Sequence, residues 1–136
     1  MRVQTLLLVE DNPDDEALTL RTLKKLCAGQ QIVVVRDGVE ALDYLFGAGQ
    51  YARRHPAELP QVMLLDLNLP RVNGFELLQR LRADARTRTL PVVVLTTCEA
   101  DWKRVESFAS GASSYVCKPV NPAQLADALR QLGLEI

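Results

Sequence analysis

Glu10, Asp11, Asp66, Thr96 and Lys118 are the side chains of this sequence that could do chemistry as a group. Each follows a short apolar run: Leu6 to Val9, Val62 to Leu65, Val92 to Leu95, and Ser114 to Cys117. Together they would supply three carboxylates, a hydroxyl and an amine. Like charges held close together are costly unless a cation joins them. Oxygen ligands with room for water suit a hard ion such as Mg²⁺, which binds through one or two carboxylates plus phosphate oxygens; Mn²⁺ is the alternative. With such an ion beside it, Asp66 stays ionised and is shielded from an incoming phosphoryl group. Lys118 and the metal can then neutralise charge on the phosphoryl oxygens during transfer. The product would be an acyl phosphate on Asp66, a carboxylate acting as nucleophile.

Taken singly, each residue has a plainer role. Glu10 and Asp11 suit the start of a helix, where the dipole favours acids. Asp66 suits a turn, Thr96 a helix cap, and Lys118 a solvated position before a proline. What favours the chemical reading is that four separate runs each end in a compatible polar group.

The elements that must position these residues alternate. The four apolar runs named above and Ile32 to Val35 read as buried parallel strands, short and rich in β-branched residues. Helical periodicity lies between them. Ala17, Leu18, Leu20, Leu23 and Leu26 mark a first helix, with Asn12 as N-cap and Pro13 at its first position. Val39, Leu42, Leu45 and Phe46 mark a second. Phe75, Leu77, Leu78 and Leu81 mark a third, opened by Asn73-Gly74. Trp102, Val105 and Phe108 mark a fourth, ended by Gly111. Leu125, Ala128, Leu129 and Leu132 mark a fifth, opened by Asn121-Pro122.

Five strand–helix pairs imply an α/β fold, a doubly wound parallel sheet with helices on both faces. The sequence leaves strand order open; 2-1-3-4-5 is the common order for five strands. Ligands of such sheets bind beyond the carboxyl ends of the strands, where the polar residues fall. Arg36-Asp37-Gly38, after the second run, would sit at an edge. Gly47 to Pro60 is the one irregular connection.

Composition excludes other classes. The chain has 136 residues, which suits one domain over 1–136. It is 48% hydrophobic, too apolar for a disordered chain. A net charge of -1 argues against nucleic acid or an anionic membrane as partner. The apolar run at Leu6 to Val9 is too short for a signal peptide or a span, so a cytoplasmic protein is expected. Cys27, Cys98 and Cys117 show no metal spacing and are expected as reduced, buried thiols. A redox pair at Cys98 and Cys117 is the disfavoured alternative. His55, the sole histidine, and Arg53-Arg54 suit an exposed loop.

From Leu6 to about Leu132 the chain resembles the receiver domains of two-component response regulators. The resemblance is carried by six segments: Leu7 to Asn12, Arg36 to Leu42, Leu64 to Pro70, Val72 to Leu78, Val93 to Thr97 and Tyr115 to Pro119. It implies the flavodoxin-like order 2-1-3-4-5, with Asp66 as phosphoacceptor and Glu10 and Asp11 holding the metal. It also implies that Asn68 binds the metal through its backbone carbonyl. Thr96 would move onto the phosphoryl group, Lys118 would be its counter-charge, and Tyr115 the aromatic switch. The Lys118–Pro119 bond would be cis.

The implied partner is a sensor histidine kinase or a phosphotransfer protein. The opening segment, the long second connection and Leu95-Thr96-Thr97 resemble stand-alone regulators that partner phytochrome-type or hybrid kinases. Such a chain, lacking an effector domain, is expected to signal by protein contact, with a homodimer through the fourth helix, fifth strand and fifth helix as one output. It would not be an enzyme beyond assisting its own phosphorylation and dephosphorylation. Glu10 in place of the family's more frequent Asp is expected to put a water between itself and the metal.

Two rivals fit less well. A phosphatase with an aspartyl nucleophile needs an acid two residues on, and Asn68 stands there. A flavin or nucleotide module needs phosphate-cradling glycines after the first strand, where this chain has Glu10-Asp11-Asn12-Pro13-Asp14-Asp15.

Overall fold

The computed structural model describes residues 5–52, 59–67, 69, 74–97, 111–134 and 136. Five strands form one parallel sheet: β1 (Thr5–Val9), β2 (Gln31–Val35), β3 (Val62–Asp66), β4 (Val92–Thr96) and β5 (Ser114–Cys117). Their order is β2-β1-β3-β4-β5, the order that the receiver-domain resemblance implies and that strand–helix alternation alone left open. The helices are α1 (Pro13–Leu26), α2 (Gly38–Phe46), α3 (Gly74–Ala83) and a further helix at Pro122–Gln131, with a 3₁₀ turn at Gly49–Tyr51. The fourth helix expected from Trp102, Val105 and Phe108 lies outside the described residues, as do Asn68, Cys98 and His55.

The strands are apolar on both faces because both faces are covered. Leu7, Val9, Met63, Leu65, Val92 and Val94 pack with Leu45 of α2 and Leu77 and Leu81 of α3. Leu6, Leu8, Val62, Leu64, Val93 and Leu95 pack with Leu23 of α1 and with Leu125 and Leu129 of the helix Pro122–Gln131. Each fully buried leucine contributes roughly 1.5–3 kcal/mol, so alternation along each strand commits successive residues to opposite layers.

Local signals set where the helices begin. The Asn12 side chain accepts from the backbone N–H of Asp14 at 2.9 Å and of Asp15 at 3.1 Å. Pro13 follows, and Asp14, Asp15 and Glu16 fill the first turn, where the helix dipole favours acids. Asn121 caps the helix Pro122–Gln131 in the same way. Asp37 caps α2 by accepting from the N–H of Glu40 at 2.8 Å, and Gly47, left-handed at φ 65, ends it.

Gly74 opens α3 against the loop after β3. A Cβ there would stand 2.6 Å from Leu67 Cα and 2.8 Å from the Asp66 carbonyl oxygen. Its own N–H donates to the Leu67 carbonyl at 3.1 Å. The glycine thus lets the helix approach the backbone that carries Asp66.

Candidate phosphoacceptor and metal site

The strand register brings the polar residues to one rim. Val9 pairs with Leu65, and Asp66 with Leu95, so Glu10, Asp66 and Thr96 stand at neighbouring strand ends. Thr96 pairs with Cys117, and its carbonyl accepts from the Lys118 N–H at 2.6 Å. Glu10 is 0% exposed, Asp66 4% and Thr96 1%, whereas Asp11 is exposed.

Lys118 reaches across the rim. Its Nζ lies 2.9 Å from Glu10 Oε1, 3.0 Å from Asp15 Oδ2 and 3.2 Å from Asp66 Oδ2. Burial alone would pull this ammonium down, but its bonds to Glu10 and Asp15 and the charge of Asp66 outweigh burial and hold it above the ordinary lysine range. Burial, then the hydrogen bond with Asp66, pushes Glu10 up to about 8 against the opposing pull of Lys118. One ammonium does not balance this many carboxylates.

That excess charge tests the fit of a metal. Carboxylate oxygens of Glu10, Asp11 and Asp66 lie within 4.8 Å of one another. All three are hard oxygen donors, and the exposed Asp11 leaves the cluster open on one side. Such a set fits a divalent ion that keeps several waters. Beside it a cleft of about 480 Å³ is lined by Asp11, Asn12, Asp15, Asp66, Thr97 and Lys118.

Of the residues expected at the site, Glu10, Asp11, Asp66, Thr96 and Lys118 are therefore brought together. Tyr115 lies further down β5, opposite Val94 and partly buried against the α2–α3 layer. Val94 and Thr96 are two residues apart on β4, so Thr96 and Tyr115 share a sheet face. The Lys118–Pro119 bond is cis, as expected. The expected carbonyl ligand, Asn68, falls outside the described residues.

The cysteines divide. Cys27 is a free, buried thiol, as expected. Cys117 is disulfide-bonded, contrary to the reduced thiol expected there. It is only partly buried at the rim, where a sulfur is more accessible than in the core.

Two residues escaped the sequence reading in their actual roles. Asp15 reads in sequence only as part of the acidic stretch after the first strand, yet it is a partner of Lys118. Gly74 looked like a helix opener, yet it admits α3 to the Asp66 loop. The signal for Asp15 was its place one turn beyond Glu10 and Asp11 on a capped helix start.

Comparison with known proteins agrees with this geometry. A family model described as the response regulator receiver domain matches residues 6–130. The probable methanogenesis regulatory protein FilR2 of Methanothrix harundinacea is 36% identical over 93% of this chain and 79% of its own length. The bacteriophytochrome response regulator AtBRR superposes with a TM-score of 0.90 at 43% identity, covering 100% of this chain and 96% of its own. The response regulator Rcp1 of Synechocystis is 32% identical over 87% of this chain and 78% of its own. Its Mn²⁺-bound structure has a TM-score of 0.75 and 30% identity, covering 95% and 91% of the two chains. Among the described residues, no helix is long and apolar enough to cross a membrane.

Proposed function

The chain belongs to the family of response regulator receiver domains, and from that premise we propose that it accepts a phosphoryl group on Asp66 and signals through protein–protein contacts. The observation that carries this reading is the Lys118 ammonium, 3.2 Å from Asp66 Oδ2 and 2.9 Å from Glu10 Oε1, beside a three-carboxylate cluster. An Asp66 carboxylate oxygen attacks the phosphorus of a phosphohistidine. The N–P bond breaks as the O–P bond forms, and the histidine nitrogen leaves with the electron pair.

Glu10, Asp11 and Asp66, with the Asn68 carbonyl, would hold Mg²⁺ or Mn²⁺, which supplies positive charge against the phosphoryl oxygens when bound. The Mn²⁺ of the related Rcp1 supports that choice of ion. Lys118 passes its contact from the Asp66 carboxylate to a phosphoryl oxygen as the new bond forms. The Thr96 hydroxyl turns onto the same group. Its displacement changes the space open to Tyr115 on the shared face, a shift between two packings driven by their unequal affinity for phosphate. The chain is a switch and not an enzyme in its own right, assisting only its own phosphorylation and dephosphorylation.

The donor is a sensor histidine kinase or phosphotransfer protein, and the similarity to the bacteriophytochrome response regulator AtBRR favours a phytochrome-type kinase. Residues 1–136 act as one receiver domain in the cytoplasm. Output passes through the surface of the fourth helix expected from the sequence, β5 and the helix Pro122–Gln131, with a homodimer as one form. With a net charge of -1, neither nucleic acid nor a membrane is part of this reading.

The test is incubation with acetyl phosphate in Mg²⁺ or in EDTA, followed by intact mass. Wild type should gain one phosphoryl group in Mg²⁺ and none in EDTA. Labelling of Asp66→Asn at the wild-type rate would sink the assignment.

A further inference from the structure

Lys118 has three hydrogens to donate, and carboxylates surround them. Glu10 Oε1 stands at 2.9 Å, Asp15 Oδ2 at 3.0 Å and Asp66 Oδ2 at 3.2 Å. Glu10 and Asp66 belong, with Asp11, to the cluster that fits a metal; Asp15 does not. Yet Asp15 lines the same cleft as Asp11, Asp66, Thr97 and Lys118.

The charges make Asp15 the odd member. A divalent ion and the Lys118 ammonium together neutralise Glu10, Asp11 and Asp66. Asp15 adds one negative charge beyond that balance, beside the place where a dianionic group must arrive. Its side chain is 38% exposed, against 0% for Glu10 and 6% for Asp66. It is therefore the partner that water can solvate when the ammonium turns away.

We propose that Asp15 is a positioning residue that competes with the phosphoryl group for the Lys118 ammonium and so lowers the affinity of the rim for that group. Asn12 and Pro13 start α1 where its first turn reaches Lys118, so the competitor is fixed in place. A phosphoryl oxygen must share the ammonium with Asp15, whereas the contact to Asp66 passes on by itself when Asp66 is modified. This inference rests on the receiver reading of the same rim.

The experiment is titration calorimetry of beryllofluoride, a phosphoryl mimic, into the whole chain at saturating Mg²⁺. Asp15→Asn should bind it about tenfold tighter than wild type, the scale of one released charge-assisted hydrogen bond. Asp15→Ser, which keeps a short polar group in the helix's first turn, should show the same gain. Asp15→Glu, which keeps the charge, should stay near wild type. In a Lys118→Met background the Asp15→Asn gain should largely vanish. A merely structural role for Asp15 would shift unfolding temperature and leave this affinity unmoved. Unchanged or weaker binding in both neutral variants would overturn the proposal. So would an equal gain without Lys118, since Asp15 would then act by its own charge. Failure of wild type itself to bind beryllofluoride in Mg²⁺ would instead reject the receiver reading.

Discussion

Arg82 and Lys118 are both partly buried cations, and they serve opposite ends of the same sheet. Arg82, at the end of α3, donates to the carbonyls of Gly111 at 2.7 Å, Leu90 at 2.8 Å, Arg88 at 2.9 Å and Thr87 at 3.3 Å. Those acceptors are neutral backbone groups of the segments that lead into β4 and β5. Nearby, Thr87 Oγ1 donates to the Leu81 carbonyl, and the Val92 N–H donates to Ser113 Oγ. Lys118 instead faces carboxylates delivered by β1, α1 and β3.

The difference teaches how to tell a brace from a site. Around Arg82 a guanidinium is matched to four neutral backbone carbonyls, so the region braces the fold and gathers no excess charge. Around Lys118 negative charge exceeds positive, and the strand ends hold the excess in place. Burial lowers the Arg82 guanidinium, because neutral carbonyls offer no opposing charge. Lys118 moves the other way because its partners are anions.

The largest expected effect falls on chemistry at the Lys118 end. Lys118→Ala in saturating Mg²⁺ should phosphorylate about a hundredfold more slowly, the scale of losing a preorganised charge at a developing anion. Far-ultraviolet circular dichroism should stay unchanged. Loss of folding with normal transfer in the surviving protein would make Lys118 a brace like Arg82.

Arg82→Ala should do the reverse. Removing the donor to four carbonyls should cost roughly 2–3 kcal/mol in urea unfolding, given about 1–3 kcal/mol for each buried group left unpaired and water access to some of them. Phosphotransfer per folded molecule should stay near wild type. A drop in transfer with unchanged stability would erase the contrast between the two ends.

Gly74→Ala lies between these cases. Its Cβ would press on Leu67 Cα and the Asp66 carbonyl, so backbone must shift, at a cost of about 1–3 kcal/mol. Because the displaced backbone carries Asp66, both unfolding midpoint and transfer rate should fall. A stability loss with full transfer would show the Asp66 loop to be indifferent to how α3 packs.

The smallest expected effect is at Thr97, exposed on the cleft wall beside Asp66. Its branched side chain should crowd the water that hydrolyses the acyl phosphate. Thr97→Ala should therefore lose phosphate a few-fold faster, with about the same stability. An equal or slower loss rate would remove the crowding role.

Much of this site could be read in the linear chain because each functional residue ends an apolar run, and run length and chain alternation are local properties. Hydrophobic periodicity, the caps Asn12-Pro13 and Asn121-Pro122, and the polar residues after each strand all follow from neighbours in sequence. So do the identity of Asp66, Glu10 and Asp11 as acids and of Thr96 as a hydroxyl. What the linear chain left open was contact between distant residues. Strand order became definite only when both sheet faces were covered, since parallel pairing depends on which helices fill which layer. Asp15 became a partner of Lys118 because α1 starts beside the end of β5, 103 residues away along the chain. Gly74 acquired its importance from the closeness of α3 to Leu67 and Asp66, a matter of packing and not of helix propensity. At Cys117 the linear chain admitted both a reduced thiol, which it favoured, and a redox pair, because which sulfur another sulfur can reach is decided only by the fold.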